Sequence, residues 1–154
     1  MLNTVVFHED GSGHSPDHAA LIANLVAFNL AAASPEHYHP LAIFAKTPTQ
    51  LLVGGVRGYT HWQWLVISHL WIDERSRGQG LGRSLMQQIE RAARDRNCWQ
   101  AHCDTFSFQA LGFYEKLGYR RFGQLSEYPP GQSRYFLTKD LSAPPQDGAD
   151  PLGS

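Results

Sequence analysis

The chain has 154 residues, 42% of them hydrophobic, with 13 Lys and Arg against 14 Asp and Glu. That is the size of one domain, with apolar material for a core and about 68–70% of the unfolded surface buried. The balanced charge gives no electrostatic case for nucleic acid or an anionic membrane, and no apolar run reaches the ~18 residues of a membrane span.

Residues 4–7, β-branched and aromatic, read as a first strand. Residues 8–15 are turn-like, and Asp17 is placed to cap a helix running to about residue 33. Leu21, Leu25, Phe28 and Ala32 lie along it at helical spacing. A loop over 34–40 leads to strands at 41–46 and 51–59. Gly54-Gly55 in the second marks a bulge or the close approach of another group. After a turn at Thr60 comes an apolar strand over 62–72, then a helix over 81–96 with Leu85, Ile89, Ala92 and Ala93 on its inner face. A strand at 99–104 and a helix at 107–117 stopped by Gly118 follow. A last strand pair, 119–122 and 134–139, is joined across Pro129-Pro130-Gly131. Residues 1–141 thus read as a single domain and 142–154, rich in Pro and Gly, as a flexible tail. No basic-then-apolar leader is visible, and Cys98 and Cys103 form no CxxC pattern. A reduced, cytoplasmic protein with unpaired thiols is expected.

The stretch Arg77-Gly78-Gln79-Gly80-Leu81-Gly82 lies between the strand at 62–72 and the helix at 81–96. A glycine-rich turn at a helix start is a ready anion site, because the first helical N–H groups lack partners and the dipole is positive there. Glycine lets the backbone approach a phosphate and adopt positive φ. Arg75, Arg77 and Arg83 add cationic reach; the alternative for Arg77 is a surface ion pair, and for Arg75 and Arg83 solvated charge is an equal reading. A phosphorylated ligand is expected here. No Gly-x-x-x-x-Gly-Lys-Ser/Thr loop is present, and Gly78-x-Gly80-x-Gly82 has the wrong spacing for a dinucleotide fingerprint.

Arg77-x-x-Gly80-x-Gly82 resembles the pyrophosphate loop of the GNAT acetyltransferases. A second segment, Ala110-Leu111-Gly112-Phe113-Tyr114-Glu115-Lys116-Leu117-Gly118-Tyr119, is similar to that family's last helix and the strand after it. Ala110, Tyr114, Gly118 and Tyr119 fill the family's places. The resemblance runs from about residue 51 to 141, and the first 50 residues fit by element order only. It implies an α/β fold: a mixed, mostly antiparallel central sheet, helices on both faces, and two splayed strands forming a wedge for acetyl-coenzyme A.

By the same resemblance, the backbone of Arg77, Gly78, Gln79, Gly80, Leu81 and Gly82 should hold the pyrophosphate, with Arg83 and Ser84 alongside. Strand backbone at Leu70, Trp71 and Ile72 should bond the pantetheine arm. Ser107 stands where many relatives carry a cofactor-contacting asparagine. Tyr114 is the implied acid for the leaving thiolate, since a phenol is protonated at neutral pH; a core tyrosine is the plainer alternative. His69 is the candidate base, an imidazole beside the cleft, though a one-residue bulge would change the face it meets. A core or surface histidine is its plainer reading, and Asp104, Glu74 or water could serve instead.

Trp62, Trp64, Tyr128 and Tyr135 are candidates for an aromatic wall around an amine, built with the loop 34–40 and segments 60–64 and 127–135. Glu36 and Glu127 could attract a cation. His14-x-x-x-His18 and His37-x-His39 lack the partners of a standard site, and no metal is expected. The implied function is acetyl transfer from acetyl-coenzyme A to a primary amine by direct attack in a ternary complex, the acceptor a small molecule. Protein or peptide amino-terminal or lysine acetylation, and a noncatalytic acetyl-coenzyme A-binding module, are the alternatives. Neither nucleic acid nor membrane is an expected partner; a homodimer is a common form in the family.

Overall fold

A computed structural model describes residues 5–142. They form two compact units, the first ending at Glu36 and the second beginning at His37. The first holds α1 (Pro16–Ala32), which opens on a proline where the missing N–H would have no helical partner anyway. Ser15 takes the N-cap position and Asp17 sits inside the first turn. Asp17 therefore complements the helix dipole rather than capping the end as expected. Val5, Val6 and Phe7 form no strand, contrary to the reading of residues 4–7; Thr4 lies outside the described residues. Propensity alone cannot make a strand, because the backbone also needs a ladder partner. The tail expected over 142–154 lies, beyond Ser142, outside the described residues.

The second unit contains β1 (His39–Lys46), β2 (Leu52–His61), β3 (Trp64–Ile72), α2 (Leu81–Arg94), β4 (Gln100–Phe106), α3 (Leu111–Lys116), β5 (Arg120–Ser126) and β6 (Ser133–Asp140). The strands form one mixed sheet in the order β1-β2-β3-β4-β6-β5. Only β3 and β4 are parallel, as the α2 crossover between them requires. The β2–β3 hairpin turns through Trp62 and Gln63, whose φ values are 44° and 63°. Two positive φ angles suit the twist of a two-residue hairpin, but neither residue is a usual turn former. Their sequence signal is that of a strand, so the sequence predicts the turn at Thr60, whereas the hairpin turns two residues beyond it.

Helix α2 packs on β1, β2 and β3. Its Leu85, Met86, Ile89 and Ala93 meet Val56, Leu65, Ile67, Ala101, Cys103 and Leu137 in the core. Each fully buried aliphatic side chain contributes about 1.5–3 kcal/mol. Glu90 is also buried on this face, where it accepts from Tyr119 Oη at 3.1 Å and from Lys139 Nζ at 2.7 Å. A buried carboxylate survives only when so paired, and the pairing ties α2 to β6. Cys98 and Cys103 are free and buried.

Helix α3 has six residues, shorter than the expected 107–117. The Gln109 side chain accepts from Thr105 Oγ1 at 3.2 Å and Phe106 N at 3.0 Å, pinning residues 107–110 as a turn. The helix ends as expected at Gly118, with φ 87°. Tyr119 N donates to Tyr114 O at 3.1 Å and Gly118 N to Glu115 O at 3.0 Å, the two bonds of a Schellman cap.

Candidate active site

Strands β3 and β4 pair at only three positions: Trp64 with Gln100, Leu65 with Ala101, and Val66 with His102. Beyond Val66 they separate. The device that bends β3 is a bulge. Arg57 of β2 faces His69 and the next residue, Gly58, faces Ile67, so Ser68 is an extra residue in β3. Gly58 is obligatory here, since a Cβ would lie 1.8 Å from Val66 O. Gly54 meets the expectation of an irregularity or a close approach: a Cβ there would lie 3.0 Å from Ile72 Cδ1 and 3.3 Å from Leu81 Cδ2, and beside it the register against β1 shifts, with Ala45 facing Gly54 and Lys46 facing Leu52.

The bulge also resets the alternation of β3. Leu65 and Ile67 are buried, and after the extra residue it is Leu70 and Ile72 that pack on the core. Ser68, His69 and Trp71 are exposed. Without the bulge, His69 would follow Ile67 into the core face. The gap between the strands opens into a cavity of about 840 Å³, reached by Ile67 through Ile72 of β3 and by Asp104 and Thr105 of β4. The edge of β3 here has no ladder partner in β4, leaving N–H and C=O groups for a ligand.

The loop after β3 and the start of α2 line the same cavity through Arg77, Gly78, Gly80, Leu81, Gly82 and Arg83. Gly78 and Gly80 have φ 73° and 79°, angles that β-carbon residues rarely adopt. Nothing lies within 4 Å of where their Cβ atoms would be, so the cradle is open. Gly80 is the N-cap of α2 and gives no side-chain cap. The first amides of the helix are thus left for an anion. Arg77 Nε donates to Ile72 O at 3.2 Å, bracing the loop against the end of β3. Gly82 brings α2 close to α3: a Cβ there would stand 3.2 Å from the Phe113 ring.

Tyr114 is buried and lines the cavity. Its ring packs edge-on against Phe113 and Tyr119, at 5.2 and 5.9 Å. Burial pushes its pKa well above the ordinary tyrosine value, helped by Cys103 and Asp104, so the hydroxyl keeps its proton. His69 lines the cavity from β3, with Nδ1 3.0 Å from Ser68 Oγ. Asp104 lines it from β4 and accepts from Arg134 Nε at 2.7 Å. The Arg134 guanidinium in turn stands over the rings of Phe106, Tyr128 and Phe136, at 5.5, 5.5 and 5.2 Å.

The structure thus brings His69, Leu70, Trp71, Ile72, Arg77, Gly78, Gly80, Leu81, Gly82, Arg83 and Tyr114 to one cavity. Gln79, Ser84 and Ser107 are not among its lining residues. Gln79 Nε2 folds back to Arg75 O at 3.2 Å. Ser107 Oγ donates to Gln132 Oε1 and accepts from Ser133 N at 3.1 Å, tying its turn to the start of β6. None of the four expected aromatic-wall residues lines the cavity: Trp62 packs tilted against His61 at the hairpin, Trp64 lies against His102 where β3 and β4 still pair, and the rings of Tyr128 and Tyr135 face the guanidinium groups of Arg134 and Arg121. Glu127 accepts from Gly131 N at 2.9 Å within its own loop. Ser68, Phe108, Gln109 and Phe113 line the cavity without having been singled out. Only the Ser-His pair beside a strand bulge carried a signal, and that bulge depends on the neighbouring strand. Among the described residues no three His, Cys, Asp or Glu side chains converge on a metal position.

The acetyltransferase (GNAT) family model matches residues 9–119. Over 91 residues the chain is 42% identical to a blasticidin-S acetyltransferase of Streptomyces morookaense, a match covering 58% of this chain and 67% of that protein. A crystal structure of an acetyltransferase from Bacillus cereus matches with a TM-score of 0.79 at 30% identity, over 88% of this chain and 97% of its own. An aminoglycoside 6′-N-acetyltransferase complexed with coenzyme A is alike in fold alone, with a TM-score of 0.62 at 15% identity over 92% and 99% of the two chains.

Proposed function

The chain belongs to the acetyltransferase (GNAT) family, and we propose that it transfers an acetyl group from acetyl-coenzyme A to the primary amine of a small molecule. The observation that carries this reading is the opening of β3 from β4 beyond Val66. It joins an unpaired strand edge, an uncapped helix start and the side chains of Tyr114 and His69 in one cavity. The open cradle at Gly78 and Gly80 suits a diphosphate, held by the first amides of α2 and by Arg77 and Arg83. The free edge at Leu70 and Ile72 suits the amides of a pantetheine arm. A blasticidin-S acetyltransferase among the relatives favours a small-molecule acceptor.

Acetyl-coenzyme A supplies the activated acyl group as co-substrate. His69 takes a proton from the acceptor as its nitrogen bonds to the acyl carbon. As the carbon–sulfur bond breaks, the Tyr114 hydroxyl gives its proton to the departing sulfur. The products are an amide and a free thiol. Proton transfer by each positioned group is worth about 10²–10⁴ in rate.

Thiol release from acetyl-coenzyme A, measured against a panel of amines that includes blasticidin S and short peptides, tests the proposal. Amine-dependent release, lost in Gly80→Asp through a KM for acetyl-coenzyme A raised more than about tenfold by a carboxylate in the anion cradle, supports it. Transfer to peptide amino termini alone would replace the small-molecule acceptor. An affinity for acetyl-coenzyme A unchanged in Gly80→Asp would remove the loop from the site.

A further inference from the structure

Serine and histidine side by side on a regular strand point to opposite faces. Here the bulge puts two residues of β3 opposite one gap in β2, with Arg57 facing His69 and Gly58 facing Ile67, and Ser68 meets the ring of its own neighbour. Ser68 Oγ donates its only proton to Arg57 O at 3.1 Å. The 3.0 Å contact between Ser68 Oγ and His69 Nδ1 therefore has one consistent polarity: Nδ1 carries the hydrogen and Oγ accepts it. A neutral imidazole has one N–H, so Nε2 keeps its lone pair. Among the described residues, the other charged groups on the cavity are Asp104, tied to Arg134, and Arg77 and Arg83. No hydrogen bond joins any of them to the His69 ring, so the carbonyl–serine relay is what sets the ring's tautomer.

We propose that Ser68 is a positioning residue: anchored on the Arg57 carbonyl, it holds His69 as the Nδ1–H tautomer and makes Nε2 the basic atom offered to the cavity. The proposal rests on His69 acting as the base in the reading above, and it assigns a purpose to the bulge. Gly58 permits the close approach, the bulge aligns Ser68 with His69, and the alignment leaves one ring nitrogen able to accept a proton from an amine.

Two-bond proton–nitrogen spectra of imidazole-labelled full-length protein at about pH 9, above the ordinary imidazole range, test it, with His69 assigned by its loss in His69→Gln. The expected wild-type result is a protonated Nδ1 and a bare Nε2. Ser68→Ala should show both tautomers in exchange and lower kcat/KM for the amine about tenfold, part of the ~10²–10⁴ a general base supplies. Ser68→Thr, which keeps the hydroxyl, should restore both. A wild-type ring protonated at Nε2, or a spectrum unchanged in Ser68→Ala, overturns the proposal. A tautomer change without loss of turnover overturns its catalytic half; full turnover in His69→Gln would then place the fault in the choice of base and leave the relay standing.

Discussion

At Tyr114, burial has two opposed effects on the proposed proton transfer. An apolar surrounding opposes the phenolate, which keeps the proton on the hydroxyl but makes it a weaker acid, so the charge developing on the leaving sulfur must draw the proton across. Tyr114→Phe removes only the hydroxyl and preserves the contacts with Phe113 and Tyr119. It is expected to lower kcat by about 10²–10⁴ while the dissociation constant of acetyl-coenzyme A, read by calorimetry, barely moves. A drop in binding and stability without a selective loss of kcat would make Tyr114 a packing residue. One strand away, burial first, then Asp104 and Glu90, push the Cys103 thiol from 9.0 up to about 12. The unfolded chain releases that proton near the lower value and the folded chain near the higher. Between them the unfolded state binds fewer protons, so stability falls as pH rises. The contribution is fully present below pH 9 and lost through about 12. Urea midpoints taken upward from pH 8 should therefore fall less steeply in Cys103→Ala than in wild type, with a tyrosine-dependent fall remaining at higher pH.

Among the elements, the β2–β3 hairpin bears the strictest steric demand. Gly58→Ala would drive a methyl into Val66 O, 1.8 Å from the ideal Cβ, so the backbone must shift. A loss of about 3 kcal/mol or more, at the upper end of single-site effects, is expected in chemical unfolding, with loss of acetyl transfer as the bulge is disturbed. Glu90 makes a different demand. It joins α2 to β6 through Lys139 and to Tyr119 just before β5. Glu90→Ala strands Lys139 and the buried Tyr119 hydroxyl, and should cost about 3 kcal/mol, the low end for a broken buried pair because Lys139 keeps some water contact. A loss under about 1 kcal/mol in the same assay would show that water replaces the carboxylate.

For the whole molecule, occupation of the cavity should stabilise the fold through linkage. Acetyl-coenzyme A at 100 times its dissociation constant should add about 2.7 kcal/mol, seen as a rise in melting temperature that NADH and ATP do not reproduce. A flat melt at saturating acetyl-coenzyme A would count against the cavity as the cofactor site. No described helix is long and apolar enough to cross a membrane.

Signals contained within a segment were legible in the sequence: the apolar rows of α2, the positive-φ glycines of the loop, the capping Gly118 and the order of the strands in the sheet unit. The loop and the Ala110-to-Tyr119 segment also pointed to the family. These depend on torsion preferences and on neighbours three or four residues away. What required a partner strand was not legible. Tertiary structure alone placed a bulge at Ser68, turned His69 out of the core face and joined Asp104 to Arg134. It also kept Trp62 and Trp64 at the closed end and sent Ser107 to Gln132. The physical reason is register: a strand's side chains alternate with period two, so one inserted residue exchanges its faces. Where that residue is inserted is settled by what the facing strand can tolerate, here the bare Cα of Gly58 against Val66 O.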